Sequence, residues 1–322
     1  MKRRLCLQAL PAFLAAPAVV AAEKYPSKPI TWICPYGAGG NADTRSRLVA
    51  KVMSTQLGQP IVVDNKAGAG GNIGTEFIAR AKPDGYTIGM GNFAPLAVNH
   101  ALFKKLNFDP LNDIVPITLI ERGPLALLIR AESPWKSVSD LVNAAKAAPG
   151  KLSYASGGLG GTHHLSAALF EHVAGIDMIH VPYKGTGSAM PDVISGQVDM
   201  SFPNLPSGLP HVKSGSLRAL GVTTAKRSAA APNIPTIAES GLPGYDMATW
   251  YGLVAPANLS VEIRNRINKE LQGILADPKF KDKLIAQGAD PMPGTPEQFS
   301  AFIKAEIEKW RKLIAQSQIT ID

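Results

Sequence analysis

Two stretches of the sequence have the composition of anion sites that need no basic side chain. The first, Trp32–Asp43 (WICPYGAGGNAD), leaves a short apolar run and passes through Tyr36, Gly37, Ala38, Gly39 and Gly40. It then enters a segment with helical periodicity whose first turn carries Asp43. The second, Leu152–Leu165 (LSYASGGLGGTHHL), repeats the plan: a short strand-like run, Ser156 and Gly157 in a glycine-rich loop, then Thr162, His163 and His164 opening a helix. A glycine-rich turn between a strand and a helix N-terminus points backbone N–H groups and the positive end of the helix dipole at one spot. Asn41 and Thr162 are the residues expected to cap the two helices. If each unit belongs to its own sheet, the two helix starts bracket a cleft that can hold an anion by backbone dipoles alone. Asp43 reads equally well as a first-turn acid complementing the dipole, and His164 as a capping or packing group, whereas His163 is placed to face the cleft.

Sharper readings of these residues fail on spacing. A dinucleotide loop needs G-x-G-x-x-G, but Gly68–Gly74 (GAGGNIG) puts Ile73 where the third glycine belongs. The chain has no G-x-x-x-x-G-K-S/T phosphate loop and no G-x-S-x-G nucleophile elbow. Adjacent helical residues point about 100° apart, so His163 and His164 make a poor metal pair, and no H-E-x-x-H or cysteine partner supports them. No cofactor or metal is expected. Nor do the residues assemble into a nucleophile, base and orienter, so the chain reads as a non-enzyme. The rival is an exported hydrolase or isomerase in which His163 or His164 acts as general base with Asp43.

These loops need a scaffold, and the sequence supplies one. Strand-like ITWIC, helical ADTRSRLVAKVMSTQL (apolar face Leu48, Val49, Val52, Met53, Leu57), IVVDN, IGTEFIARA and YTIGMG alternate as β-α-β-α-β. A second series follows: PLALLIR, SVSDLVNAAKA, KLSYAS, THHLSAALFEHVA, MIHVPY, a helix from about Ser188, DMSF and LRALGVT. The fold class is therefore α/β: two lobes, each a mostly parallel sheet flanked by helices, with the ligand cleft between them. Two long amphipathic segments near the C-terminus have few strands beside them and are expected to pack on the first lobe. Residues 23–124 and 246–322 form that lobe and residues 125–245 the second, with crossings near Arg122–Leu125 and Tyr245–Tyr251. Trp250 and Tyr251 are read as hinge packing rather than ligand contacts, while Tyr183, just after a strand, leans toward the cleft.

The 322 residues, 45% hydrophobic and 18% charged, suit one large globular domain or two smaller ones. Residues 1–22 read as an export signal, with Lys2, Arg3 and Arg4 before an apolar run and small residues up to Ala22. Pro11 and Pro17 interrupt that run, which argues against a membrane anchor. Cleavage after Ala22 would deliver a periplasmic protein, remove three of the eight net positive charges, and leave Cys34 as the sole cysteine. Lys and Arg are scattered, with no basic stripe for nucleic acid. Nothing asks for a second copy, and a monomer is expected.

Read in order, YPSKPITWICPYGAGGNADTRSR, GQPIVVDNKAGAGGNIGTEFIARAKPDGYTIGM, LSYASGGLGGTHHLSAALF, VPYKGTGSAMPDVISGQVDMSFPNLP and WYGLVAPA resemble the Bug receptors, periplasmic solute-binding proteins of tripartite tricarboxylate transporters. The resemblance spans essentially the whole mature chain. It implies a two-lobe fold closing on a small carboxylate and delivery of that ligand to membrane permease subunits. By the same resemblance, Tyr36–Asp43 and Ser156–His164 hold one carboxylate through backbone groups and ordered waters, and Asn92, Phe93 and Tyr183 approach the distal part of the ligand. The sequence departs from the family pattern at Pro203, where an acidic residue is common and distal specificity is set, and at Cys34, where valine is common. A ligand-reporting partner of a membrane sensor is the alternative within this class.

Overall fold

The computed structural model describes residues 25–183 and 186–319; the export signal expected at residues 1–22 lies outside them. The chain forms β1 (Ile30–Cys34), α1 (Asn41–Leu57), β2 (Ile61–Asn65), α2 (Asn72–Ala79), β3 (Thr87–Asn92), α3 (Asn99–Leu102) and β4 (Ile114–Pro124). It continues through β5 (Ala126–Arg130), α4 (Val138–Ala147), β6 (Ser153–Ser156), α5 (Thr162–Ala174), β7 (Ile179–Pro182), α6 (Thr186–Ser195), β8 (Met200–Ser201), α7 (Leu205–Lys213) and β9 (Leu217–Val222). It closes with β10 (Ala248–Pro256), α8 (Val261–Ala276), α9 (Pro278–Ala286), β11 (Asp290–Pro291) and α10 (Pro296–Gln316).

Two sheets result, ordered β11-β4-β10-β3-β1-β2 and β7-β6-β8-β5-β9. The first buries Trp32, Ile88, Met90 and Leu253 against Val49 and Met53 of α1 and Ile267 and Leu271 of α8. Burying a side chain of that size is worth about 1.5–3 kcal/mol, so α8 is bound firmly to this sheet. Cys34 ends β1 as a buried free thiol.

The parallel expectation holds within each βα series and stops at the crossings. β1 pairs β2 and β3 in parallel, and β6 pairs β7 and β8 in parallel. β10 runs antiparallel to both β3 and β4, and β5 antiparallel to both β8 and β9. The physical reason is connectivity. β4 leaves the first sheet and, after Leu125 alone, becomes β5 of the second, so it enters against the direction of its new neighbours. β10 returns to the first sheet after residues 223–247 and likewise runs against its neighbours β3 and β4. The two crossings lie side by side, with Ala248 opposite Pro124 and Trp250 opposite Arg122. Arg122 reaches Asp246 at 3.0 Å, and Leu125 and Thr223 bond each other through backbone and side chain. The connection is thus a short two-stranded ribbon, which lets the loops after β1 and β3 face those after β6 and β8.

Candidate functional site

From the glycine before each cap onward, the two glycine loops are built alike. α1 starts after Gly40 (φ −76°, ψ 173°) and α5 after Gly161 (φ −75°, ψ 169°). The glycine before each cap is left-handed, Gly39 at φ 81° and Gly160 at φ 69°, which a side chain would oppose. The third helical residue then folds back. Asp43 Oδ2 accepts the Gly39 N–H at 2.9 Å, and His164 Nδ1 accepts the Gly160 N–H at 2.9 Å. Asn41 and Thr162 are therefore first helical residues and not caps: the caps are glycines without a side-chain bond, because the third residue does that work from inside the helix. The first intrahelical bonds are Thr44 N–H to Gly40 O and Leu165 N–H to Gly161 O, both 2.9 Å. Three N–H groups at each helix start precede these bonds and remain available to an anion.

Different chemistry fixes the two folding-back side chains. Asp43 accepts hydrogen bonds from Arg47 and, at 2.9 Å, from Asn65, whose Nδ2 also holds the Tyr36 carbonyl. The Arg47 bond, with those from Gly39 and Asn65, holds the Asp43 carboxyl down at about 2. The His164 ring instead stacks on His180 at 4.0 Å and 6°, and His180 stacks on Tyr154 at 5.0 Å. His180 Nε2 meets Ser156 Oγ at 2.6 Å, and that hydroxyl accepts the Gly158 N–H. Burial, with His180 adding to it, pushes His164 down to about 4, so it is neutral and free to accept. Asp43 and His164 are thus each held by partners of their own and do not pair with one another.

Between the two helix starts lies a cavity of about 400 Å³. Of the residues singled out from the sequence, Tyr36, Gly37, Ala38, Gly40, Asn92, Phe93, Thr162 and His163 line it. Gly39, Asp43, Ser156, Gly157, His164 and Tyr183 do not; Tyr183 donates to Asp192 at 2.6 Å instead. Thr249 and Asn204 complete the wall. Asn204 follows β8 at the same sheet edge as the second glycine loop, a signal present in SFPNLP but overshadowed by Pro203. Trp250 and Tyr251 also line the cavity, so the crossing residues read as hinge packing are wall as well. Among the described residues no lysine, arginine, aspartate or glutamate lines it, and no cluster of His, Cys, Asp and Glu could hold a metal.

The aromatic wall is braced from behind by α10. Trp250 Nε1 and Trp310 Nε1 both donate to Glu306 Oε2 at 3.1 Å, and Phe93 meets Trp310 edge-to-face at 5.1 Å. Glu306→Ala leaves two buried indole N–H groups without an acceptor. It is expected to cost about 2–4 kcal/mol, with Glu306→Gln losing clearly less, both read by urea unfolding. The first loop is braced by α2 at Gly74, where a β-carbon would stand 2.6 Å from Pro35 Cα and 2.8 Å from the Lys66 carbonyl, both rigid backbone. Gly74→Ala should therefore cost about 1–3 kcal/mol and displace Tyr36; an unchanged unfolding midpoint would contradict this close approach.

The family model described as the tripartite tricarboxylate transporter family receptor matches residues 46–319. Protein BugT of Bordetella pertussis is 36% identical over 305 residues, covering 94% of this chain and 93% of its own. Among solved structures, Rpa4515 of R. palustris with adipate is 35% identical, covers 92% of this chain and 100% of its own, and superposes with a TM-score of 0.78. MatC from Rhodopseudomonas palustris with bound malate is 30% identical, covers 90% and 100%, and superposes at 0.73. A two-lobe α/β chain with paired helix starts over one cleft, matched over this length, belongs to the tripartite tricarboxylate transporter receptor family.

Proposed function

We propose that this chain is a periplasmic solute-binding receptor that captures a small carboxylate between its lobes and hands it to a tripartite tricarboxylate-type permease. One observation carries the reading: two helix starts with the same glycine-and-third-residue construction open onto one cavity, each with unbonded N–H groups. Each helix N-terminus is equivalent to roughly half a positive charge, so the pair suits one carboxylate. The adipate and malate in two relatives fit that chemistry. Asp43 and His164 shape the loops, while Tyr36, Asn92, Phe93, His163 and Asn204 meet the ligand. The lobes are residues 23–124 with 246–322, and 125–245; ligand stabilises their closed arrangement, a monomer shifting between open and closed forms. The chain performs no catalysis: Asp43 and His164 are each spent on a glycine N–H, and His163, which lines the cavity, has no acid beside it because Asp43 stays outside that wall. The test is a thermal-shift screen of the chain from Glu23 against dicarboxylates, tricarboxylates, aromatic acids and amino acids. At a hundred times Kd a ligand adds about 2.7 kcal/mol, which is several degrees. A rise with nucleotides or sugars, and with no carboxylate, would overturn the proposal.

A further inference from the structure

Resting on that reading, the cavity also constrains what the carboxylate is attached to. Asn92, at the end of β3, is 6% exposed and lines the cavity. Its Nδ2 donates to Tyr36 Oη at 2.7 Å, and Tyr36 spends its one hydroxyl proton on the Gly70 carbonyl at 3.4 Å. Tyr36 Oη thus accepts from the Asn92 amide nitrogen, and the amide's carbonyl Oδ1 is its free end. That oxygen is buried without a hydrogen-bond partner. On the opposite lobe His163 lines the same cavity with its Nε2 also buried and unpartnered.

A buried acceptor left empty costs about 1–3 kcal/mol, and a carboxylate placed against it adds repulsion between two acceptors. β3 lies beside β1, whose end feeds the first glycine loop, and neighbouring strands are about 4.8 Å apart. An anion held by that loop is thus followed, a few bonds along, by a ligand atom at Asn92. We propose that Asn92 Oδ1 selects ligands carrying an N–H or O–H donor beyond their single bound carboxylate, so that a carboxylate with an amide or hydroxyl tail is preferred over the plain diacid of the same length. Trp250 and Phe93 give that uncharged tail an apolar wall, and a site that hydrogen-bonds a donor rejects analogues lacking it because its own polar atom is then left unpaired.

The experiment is calorimetric titration at pH 7.5 with matched pairs: succinate and succinamate, adipate and adipamate, benzoate and 4-hydroxybenzoate. Donor-bearing members are expected to bind at least tenfold tighter than their partners in one or more pairs. Asn92→Leu should bring the favoured pair to within about threefold, with the ligand-free melting temperature recorded for each variant. Asn92→Asp keeps an acceptor and adds a charge, so it should weaken the diacid about tenfold further and serves if the leucine variant does not fold. Pairs that bind equally, or diacids that bind tighter, overturn the selection by Asn92 while leaving a carboxylate receptor intact. Binding to no member of the panel removes the carboxylate reading itself, and this proposal with it.

Discussion

Trp250→Ala is expected to remove about 3–5 kcal/mol of stability and at least tenfold in ligand affinity. Three losses coincide at this residue. Its ring is 1% exposed and meets Phe299 and Phe302 edge-to-face at 5.8 and 5.4 Å, so truncation opens a void beneath the crossing ribbon. Its indole N–H leaves Glu306, which keeps Trp310 and Lys309 as partners. Its other face leaves the cavity wall. Total stabilities of folded proteins are about 5–15 kcal/mol, so the alanine protein sits near the edge of folding. Trp250→Phe separates the terms. It keeps an aromatic face while giving up the Glu306 bond, and is expected to lose about 1–2 kcal/mol with affinity within tenfold of the parent. Urea unfolding with titration of whichever carboxylate binds reads both. A Trp250→Ala protein that binds as tightly as the parent would show that the wall is not a ligand surface.

This coupling of wall and brace marks the boundary of what the sequence discloses. The βα order, the two glycine loops and the return of the C-terminal helices are local signals of period, turn residue and apolar stripe, and all are readable in the chain. Asp43 and His164 are legible as residue types at the same offset from a glycine pair, yet their work is to bind Gly39 and Gly160. Spacing alone cannot tell a side chain that touches the ligand from one that shapes the loop behind it. Thr249 and Asn204 belong to a crossing strand and a loop far away in sequence, and only the three-dimensional arrangement of the two sheets brings them to the cavity. The reversed direction of β5 and β10 is likewise invisible locally, because a strand's pattern of burial says nothing of which neighbour it will meet.

The same pairing of loops makes acid the condition that separates them. His164 is pushed down to about 4 and Asp43 to about 2, against ordinary values of about 6.5 and 3.9. In the unfolded chain His164 takes up its proton as pH drops through about 6.5, whereas the folded protein resists until about 4. The unfolded state thus binds more protons across that window, and stability falls as pH falls through it. Asp43 has the same sign from the opposite cause, hydrogen bonds that favour its charge: its contribution is present above about 4 and is lost only toward 2. The groups facing His164 are His180, itself lowered by burial, and beyond it Tyr154, whose phenol is raised by burial and by Glu171; neither offers an anion to hold an imidazolium. His163, also held near 4 by burial, adds in the same direction. Protonated His164 has no lone pair for the Gly160 N–H, so the second loop loosens while the first stays formed. Between pH 6.5 and 4.5 His164 withdraws on the order of 2–3 kcal/mol, opposed in the global stability by Glu171, whose buried carboxyl, raised to about 7, favours the folded state as pH falls. The affinity is expected to drop several-fold beyond any titration of the ligand. His164→Asn tests this, because the near-isosteric Asp43 makes the same bond from the same position in the first loop. The asparagine protein should bind within about tenfold of the parent at pH 7.5, having lost the ring stack at about 0.5–1.5 kcal/mol. Its affinity for the same ligand at the same pH values should then fall less steeply than the parent's. Parallel pH profiles for the two proteins would remove His164 as the acid-sensitive group.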